Sequence, residues 1–165
     1  MTLYLALNGA LQDAAVTAYN AKRTYQSPRP ISMIRYLAFQ GQSTDRKAPS
    51  YNAEGLPLIP GLTKLVNGRV AVRSGGSWVL GSRWTPPAAT PASPGWVSDP
   101  SAYASAANVV LSALTGKSFA RQAAQASDSG VATGIALPAD DRAGRALGER
   151  VGKLALALSM RYAGG

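Results

Sequence analysis

Over the first 25 residues, Leu3, Leu7, Leu11, Ala14, Ala15 and Ala18 recur at three- and four-residue spacing. That period predicts a helix over Leu3–Tyr25, which Pro28 and Pro30 bring to an end. A second, shorter helix is expected over Ile31–Phe39, with Ile31, Ile34 and Ala38 on one side and Leu37 beside them. Residues 40–58 are polar and read as loop, with Asp45-Arg46-Lys47 as a solvated tip. Pro60-Gly61 predicts a turn or short helix near Leu62–Val66.

The period then changes to two. Val70 and Val72 alternate with Ala71 and Arg73, and Trp78 and Leu80 follow Gly75-Gly76, which predicts a β-hairpin over residues 69–84. Pro86, Pro87, Pro91 and Pro94 make residues 85–97 a proline-rich internal loop, read as wrapping a surface rather than linking domains. Helix returns at Asp99, expected as the N-cap with Pro100 as the first helical residue. Its apolar face is Tyr103, Ala107, Val110, Leu111 and Leu114, and Gly116 ends it. A short helix is expected over Ser118–Ala126. A last one runs from Pro138 to about Tyr162, with Asp140 and Asp141 in its electropositive first turn. The elements amount to a mainly α chain with one short hairpin, read as a single helical domain over residues 1–165.

That last helix carries Gly144, Gly148 and Gly152, one every four residues. Each glycine costs a helix roughly 1 kcal/mol relative to alanine, so a stripe of three calls for a packing reason. Close approach of a neighbouring helix is the favoured one, with a ligand reaching the backbone as the lesser alternative.

Composition narrows the chemistry. The 165 residues include 17 Lys and Arg against 8 Asp and Glu, for a net charge of +9, with no cysteine and no histidine. Disulfides, thiol nucleophiles, imidazole acid/base chemistry and Cys/His metal sites are thereby excluded, and no metal is assigned. The basic residues are scattered from Lys22 to Arg161 without runs interleaved with aromatics, so direct nucleic-acid binding is not expected. Met1–Ala10 lacks a basic leader and runs into Asp13, which does not read as a signal peptide. No stretch reaches the roughly 20 apolar residues of a membrane span, so the chain reads as soluble or peripheral, with its compartment open. Trp78, Trp84, Trp96, Tyr4 and Tyr36 read as core or interface anchors in preference to the lining of a cofactor pocket.

Three segments carry candidate chemistry. The first is Lys22-Arg-Thr-Tyr-Gln-Ser-Pro-Arg29-Pro30, which offers an ammonium and a forked guanidinium, suited to a tetrahedral oxyanion. The second is Pro94-Gly-Trp-Val-Ser98-Asp99-Pro100 leading into the helix that ends at Gly116. The third is Gly134-Ile135-Ala136-Leu-Pro-Ala-Asp140 and the glycine-striped helix behind it. In this order and spacing they resemble the vanadium-dependent haloperoxidase and type-2 phosphatidic acid phosphatase superfamily, closest to its bacterial haloperoxidase-like branch. The resemblance covers nearly the whole chain but only the C-terminal half of such proteins, whose N-terminal helices have no counterpart here. It implies a partial helical bundle of the haloperoxidase and acid phosphatase type.

By that resemblance Lys22 and Arg29 match the residues that hold phosphate or vanadate. The second motif in active members is Ser-Gly-His; here Ser98 remains, while Asp99 and Pro100 stand at the glycine and histidine. A shifted alignment through Pro100-Ser101-Ala102-Tyr103 also lacks the imidazole. In the third motif Ala136 stands where the nucleophilic or vanadium-ligating histidine belongs, and Gly130 where an arginine belongs. Asp140 matches the acidic position that orients the histidine in active phosphatases; without an imidazole, helix capping is its expected task. Asp99 sets a carboxylate where the anion sits and is expected to pair with Lys22 or Arg29, and Pro100 removes a backbone donor.

The resemblance therefore implies a degenerate member with no catalytic residues. Its expected role is that of a structural or accessory subunit in an obligate protein complex, without a cofactor. A second reading is an oxyanion-binding protein or weak enzyme that holds phosphate or vanadate with Lys22, Arg29, Ser98 and Tyr103. A third is a basic scaffold docking on an acidic surface.

Overall fold

The computed structural model describes residues 2–163. Its helices are α1 (Thr2–Tyr25), α2 (Pro30–Gln40), α3 (Asp99–Thr115), α4 (Ala120–Ala132) and α5 (Pro138–Ala163). Its strands are β1 (Thr63–Val66), β2 (Arg69–Ser74) and β3 (Ser77–Leu80), followed by a single 3-10 turn over Gly81–Arg83. The chain folds as two compact units, Met1–Pro28 with Pro91–Gly165, and Arg29–Thr90. No helix of the described residues is long and apolar enough to cross a membrane.

The first unit contains α1, α3, α4 and α5. Of the residues that the spacing along α1 brings together, Ala14 and Ala18 are fully buried; the stripe continues through Ala10 and Ala6, and Leu7 packs against it only partly buried. Small side chains take the innermost line because they let helix backbones approach, and the longer leucines fill the flanks. On α3 the buried line is Ser98, Ala102, Ala106 and Val110, with Ser101 beside it. The facing line on α5 is glycine. A Cβ at Gly148 would lie 2.8 Å from the Ala102 carbonyl carbon and closer still to its oxygen. At Gly152 a Cβ would meet the Ala106 carbonyl oxygen at 2.9 Å, and at Gly144 the Ser101 Cβ at 2.9 Å. Here α5 lies directly on the backbone of α3, and no side chain fits between them.

Helix ends differ from the expectation in two places. Ser98, with extended φ and ψ, is the N-cap of α3, and Asp99 and Pro100 are its first two helical residues. Asp99 is displaced because the Ser98 carbonyl already accepts the Ala102 N–H at 3.1 Å, which starts the helix one residue earlier. Helix α4 starts at Ala120 and runs to Ala132, six residues past the expected Ala126. Phe119, whose N–H donates to the Ser112 hydroxyl at 3.2 Å, is its N-cap. Gly116 closes α3 in the left-handed conformation at φ 69°, as expected of a C-cap glycine.

The second unit holds α2 and the sheet. The expected hairpin is a three-stranded antiparallel meander, β1-β2-β3, and Thr63–Val66 is a strand rather than a turn or helix. Both connections are two-residue turns with positive φ: Asn67 and Gly68 at 51° and 73°, Gly75 and Gly76 at 53° and 87°. Such turns match the strand twist. Asn67-Gly68 is the signal that marks β1. Arg73 sits opposite Trp78 across β2 and β3, and the Lys64 ammonium lies 4.4 Å from the Trp78 ring centroid. Arg35 Nε donates to the Trp84 carbonyl at 2.8 Å, joining α2 to the end of the 3-10 turn.

Residues 41–58 form an ordered loop built around one side chain. Gln42 is fully buried. Its Oε1 accepts the Thr44 and Asp45 N–H groups at 2.7 and 2.9 Å, and its Nε2 donates to the Asp45 carbonyl at 2.7 Å. The Asp45-Arg46-Lys47 tip is exposed above it.

Gly148→Ala should destabilise the chain by about 2–3 kcal/mol in urea unfolding, because the new methyl has to displace the α3 backbone. Gly9→Ala should instead add about 0.5–1 kcal/mol: nothing lies within 4 Å of that position and the change relieves a helix-interior glycine.

Candidate functional site

The stripe Ala6, Ala10, Ala14, Ala18 reaches its next position at Lys22, which is why a lysine is carried into the helix interface. Lys22 is 1% exposed. Its ammonium donates to the Pro94 carbonyl at 2.7 Å and the Gly95 carbonyl at 3.4 Å, and lies 3.4 Å from Asp99 Oδ1. The proline-rich segment is held to the end of α1 by the backbone and side chain of Ser27. The Gly95 N–H donates to the Ser27 carbonyl at 2.9 Å, and the Trp96 N–H to its hydroxyl at 2.9 Å. A Cβ at Gly95 would lie 3.0 Å from the Pro28 carbonyl oxygen, so glycine lets the two segments meet. The loop carbonyls are thereby aimed at Lys22.

Ser98 is equally committed. Its hydroxyl shares a 2.7 Å hydrogen bond with the Ser101 hydroxyl, and Ser101 donates to Asp141 Oδ1 at 2.6 Å. The other Asp141 oxygen accepts from Arg145 Nε at 2.9 Å, and Arg145 Nη2 pairs with Asp128. This chain of contacts runs from the start of α3 through α5 to α4. Sequence reasoning missed Ser101, Asp128 and Arg145 as members and took Asp141 only for a first-turn acid. The Asp141–Arg145 spacing of four on one helix was the available signal.

Asp140 closes the first turn of α5. Its Oδ2 accepts the Leu137 N–H at 3.0 Å, and its backbone carbonyl accepts the Ser98 N–H at 3.1 Å. Lys22, Ser98, Asp99 and Asp140 are thus gathered where α1, α3 and α5 meet. Pro100 occupies the second position of α3 and contributes no N–H there. Gly130 and Ala136 are neighbours at the end of α4. The Gly130 carbonyl accepts the N–H groups of Ile135 and Ala136, each at 3.1 Å, and a Cβ on Gly130 would sit 3.6 Å from that of Ala136. Arg29 is buried at the N-cap of α2, in the second unit, where its carbonyl accepts the Ser32 and Met33 N–H groups.

Tyr103 lies on α3 one turn beyond Asp99. Burial, followed by the negative charge of Asp99 and the proximity of Tyr19, pushes its phenol above the ordinary 10.0. Among the aromatics, Trp84 is buried, Trp96 packs edge-on to Tyr25 at 6.4 Å, and Tyr4 and Tyr36 are exposed.

A buried lysine, a serine at the N-terminus of α3 and an acid in the first turn of α5 thus meet in one place. The family model described as the VCPO second helical-bundle domain matches residues 2–123. The chain belongs to this family. The match places it in the vanadium haloperoxidase superfamily. No curated protein matches it. The matched residues include Lys22, Arg29, Ser98, Asp99 and Pro100; Gly130, Ala136 and Asp140 lie beyond them. For this VCPO-type bundle the fit to vanadate fails on its own donors. The chain has no histidine to ligate it. A carboxylate stands beside the lysine, and proline replaces a backbone N–H at the helix start.

Lys22→Met should cost about 3 kcal/mol, since it leaves Asp99 Oδ1 buried without its cation. Asp99→Asn should cost less, and the double variant should be more stable than the summed single effects by about 1 kcal/mol, as read from urea unfolding of all four proteins. Tyr103 generates a separate pH dependence. Its raised folded pKa means that stability is complete below 10.0 and falls as pH rises from there through the folded value. Tyr103→Phe should remove that component from the unfolding curve at alkaline pH.

Proposed function

We propose that this chain is a non-catalytic member of the haloperoxidase superfamily that serves as a structural or accessory subunit of a larger protein complex. The observation that carries this reading is the state of Lys22. An ammonium has three donors. Those of Lys22 face the Pro94 and Gly95 carbonyls and Asp99, so the place of an incoming anion is taken by the chain's own oxygens. Ser98 is likewise spent on Ser101. An anion entering here would stand next to the Asp99 carboxylate and find no backbone donor at Pro100.

Covalent phosphoryl or vanadate chemistry further needs a nucleophile or ligand at Ala136, and a methyl group supplies neither. What remains is a scaffold. Its helices bury alanine and glycine stripes inward and leave large apolar side chains such as Tyr19, Leu154 and Met160 exposed, which favours assembly with other protein surfaces.

Calorimetric titration with orthophosphate and with orthovanadate tests the non-catalytic part. No heat of binding is expected at millimolar anion. Binding lost in Lys22→Met, Arg29→Met or Ser98→Ala would replace this reading with that of an oxyanion-binding protein. The accessory part predicts that the chain expressed alone either self-associates or binds ANS. A strict monomer that does neither overturns it.

A further inference from the structure

Within the first unit, α1 and α5 run side by side with a groove between them that no helix of that unit fills. At one end it is lined by Tyr25, Trp96 and Leu147, and at the other by Leu5, Leu158 and Tyr162. Its floor is made of small residues, Gly9 and Ala155 in one half and Ala21 and Ala143 in the other, which admits a helix to close range. Its rims are large, apolar and turned outward: Leu5 is 63% exposed, Leu154 67% and Tyr162 81%.

Two charges interrupt the apolar lining, and they are of opposite sign. Asp13 lines the half that contains Leu158, and Arg150 the half that contains Thr17, one turn further along α1. Both are exposed, and neither takes part in an ion pair among the described residues. They fall near the midpoints of helices of 24 and 26 residues. A groove with one acid and one base at its centre is complementary to itself. A twofold axis through the midpoint of the two charges sets Asp13 of each copy against Arg150 of the other, and it closes the assembly at two.

The extent of the face agrees. Two adjacent helices of this length present about 700 Å², close to the roughly 800 Å² that each partner buries in a stable, specific interface. We infer that the α1/α5 groove is the docking surface for a second copy of this chain, in an isologous dimer held by interleaved apolar rims and two symmetric Asp13–Arg150 pairs. This names one partner for the accessory reading above, yet it does not depend on the oxyanion site being closed.

Sedimentation velocity of the full chain across a concentration series tests it. The native chain should be dimeric at tens of micromolar. Asp13→Arg and Arg150→Asp should each weaken the dimer about tenfold or more, because each substitution sets like charges together twice. The double variant Asp13→Arg with Arg150→Asp should restore the native affinity, which a merely misfolded single variant would not allow. A monomer at every concentration, single variants with unchanged association, or a double variant as weak as the singles each overturns the dimer. A monomer that binds ANS sinks the dimer while leaving the accessory reading in place, and a chain that titrates with phosphate does the reverse.

Discussion

The carbonyl oxygens of Ser98, Ala102 and Ala106 face Gly144, Gly148 and Gly152 turn after turn, so α3 and α5 touch backbone to backbone. Any side chain larger than hydrogen on that line of α5 would force the helices apart. The contact also sets the position of the site. With α5 pressed against the start of α3, the Asp140 carbonyl reaches the Ser98 N–H, and the Asp141 carboxylate reaches the Ser101 hydroxyl. The same economy of side-chain volume operates on α1, whose alanine stripe continues into Lys22.

Close packing of this kind demands that every polar group carried inward be satisfied by the chain itself. The interface meets that demand with a lysine held by two carbonyls and a carboxylate, and with a serine pair that ends on an arginine-bound aspartate. In an oxyanion site a lysine, a serine and a helix N-terminus are kept short of partners so that a ligand can supply them. Here Asp99 and the Pro94–Gly95 carbonyls supply them from within. Asp99 both supplies the counter-charge to Lys22 and places it at the positive end of α3.

Much of the architecture was legible from spacing alone. The extents of α1, α2 and α5, the glycine stripe and the Gly116 stop follow from periodicity, proline and glycine. The differences have identifiable causes. Pro60-Gly61 points to a turn just before β1, while the Asn67-Gly68 pair after it is what pins the meander. Propensity favours Asp99 as the N-cap of α3, yet the backbone starts the helix at Ser98. On α1 the spacing counts leucine and alanine alike, and hydrophobicity ranks leucine above alanine. Interhelical distance reverses that order when the backbones must meet.

The sequence by itself determined that no imidazole and no thiol are available. With no histidine and no cysteine in the chain, that is a matter of composition, independent of how the chain folds. It also carried the frame, since Lys22, Ser98 and Asp140 stand at readable offsets. Tertiary structure alone decided what those side chains contact. Lys22 and Asp99 are separated in sequence by the whole of the second unit, and Ser101 and Asp141 by the rest of α3 and all of α4, so their pairings depend on helices brought together by glycine and alanine. Local spacing cannot report such contacts, because the distance between two side chains on different helices is set by the residues that lie between the backbones.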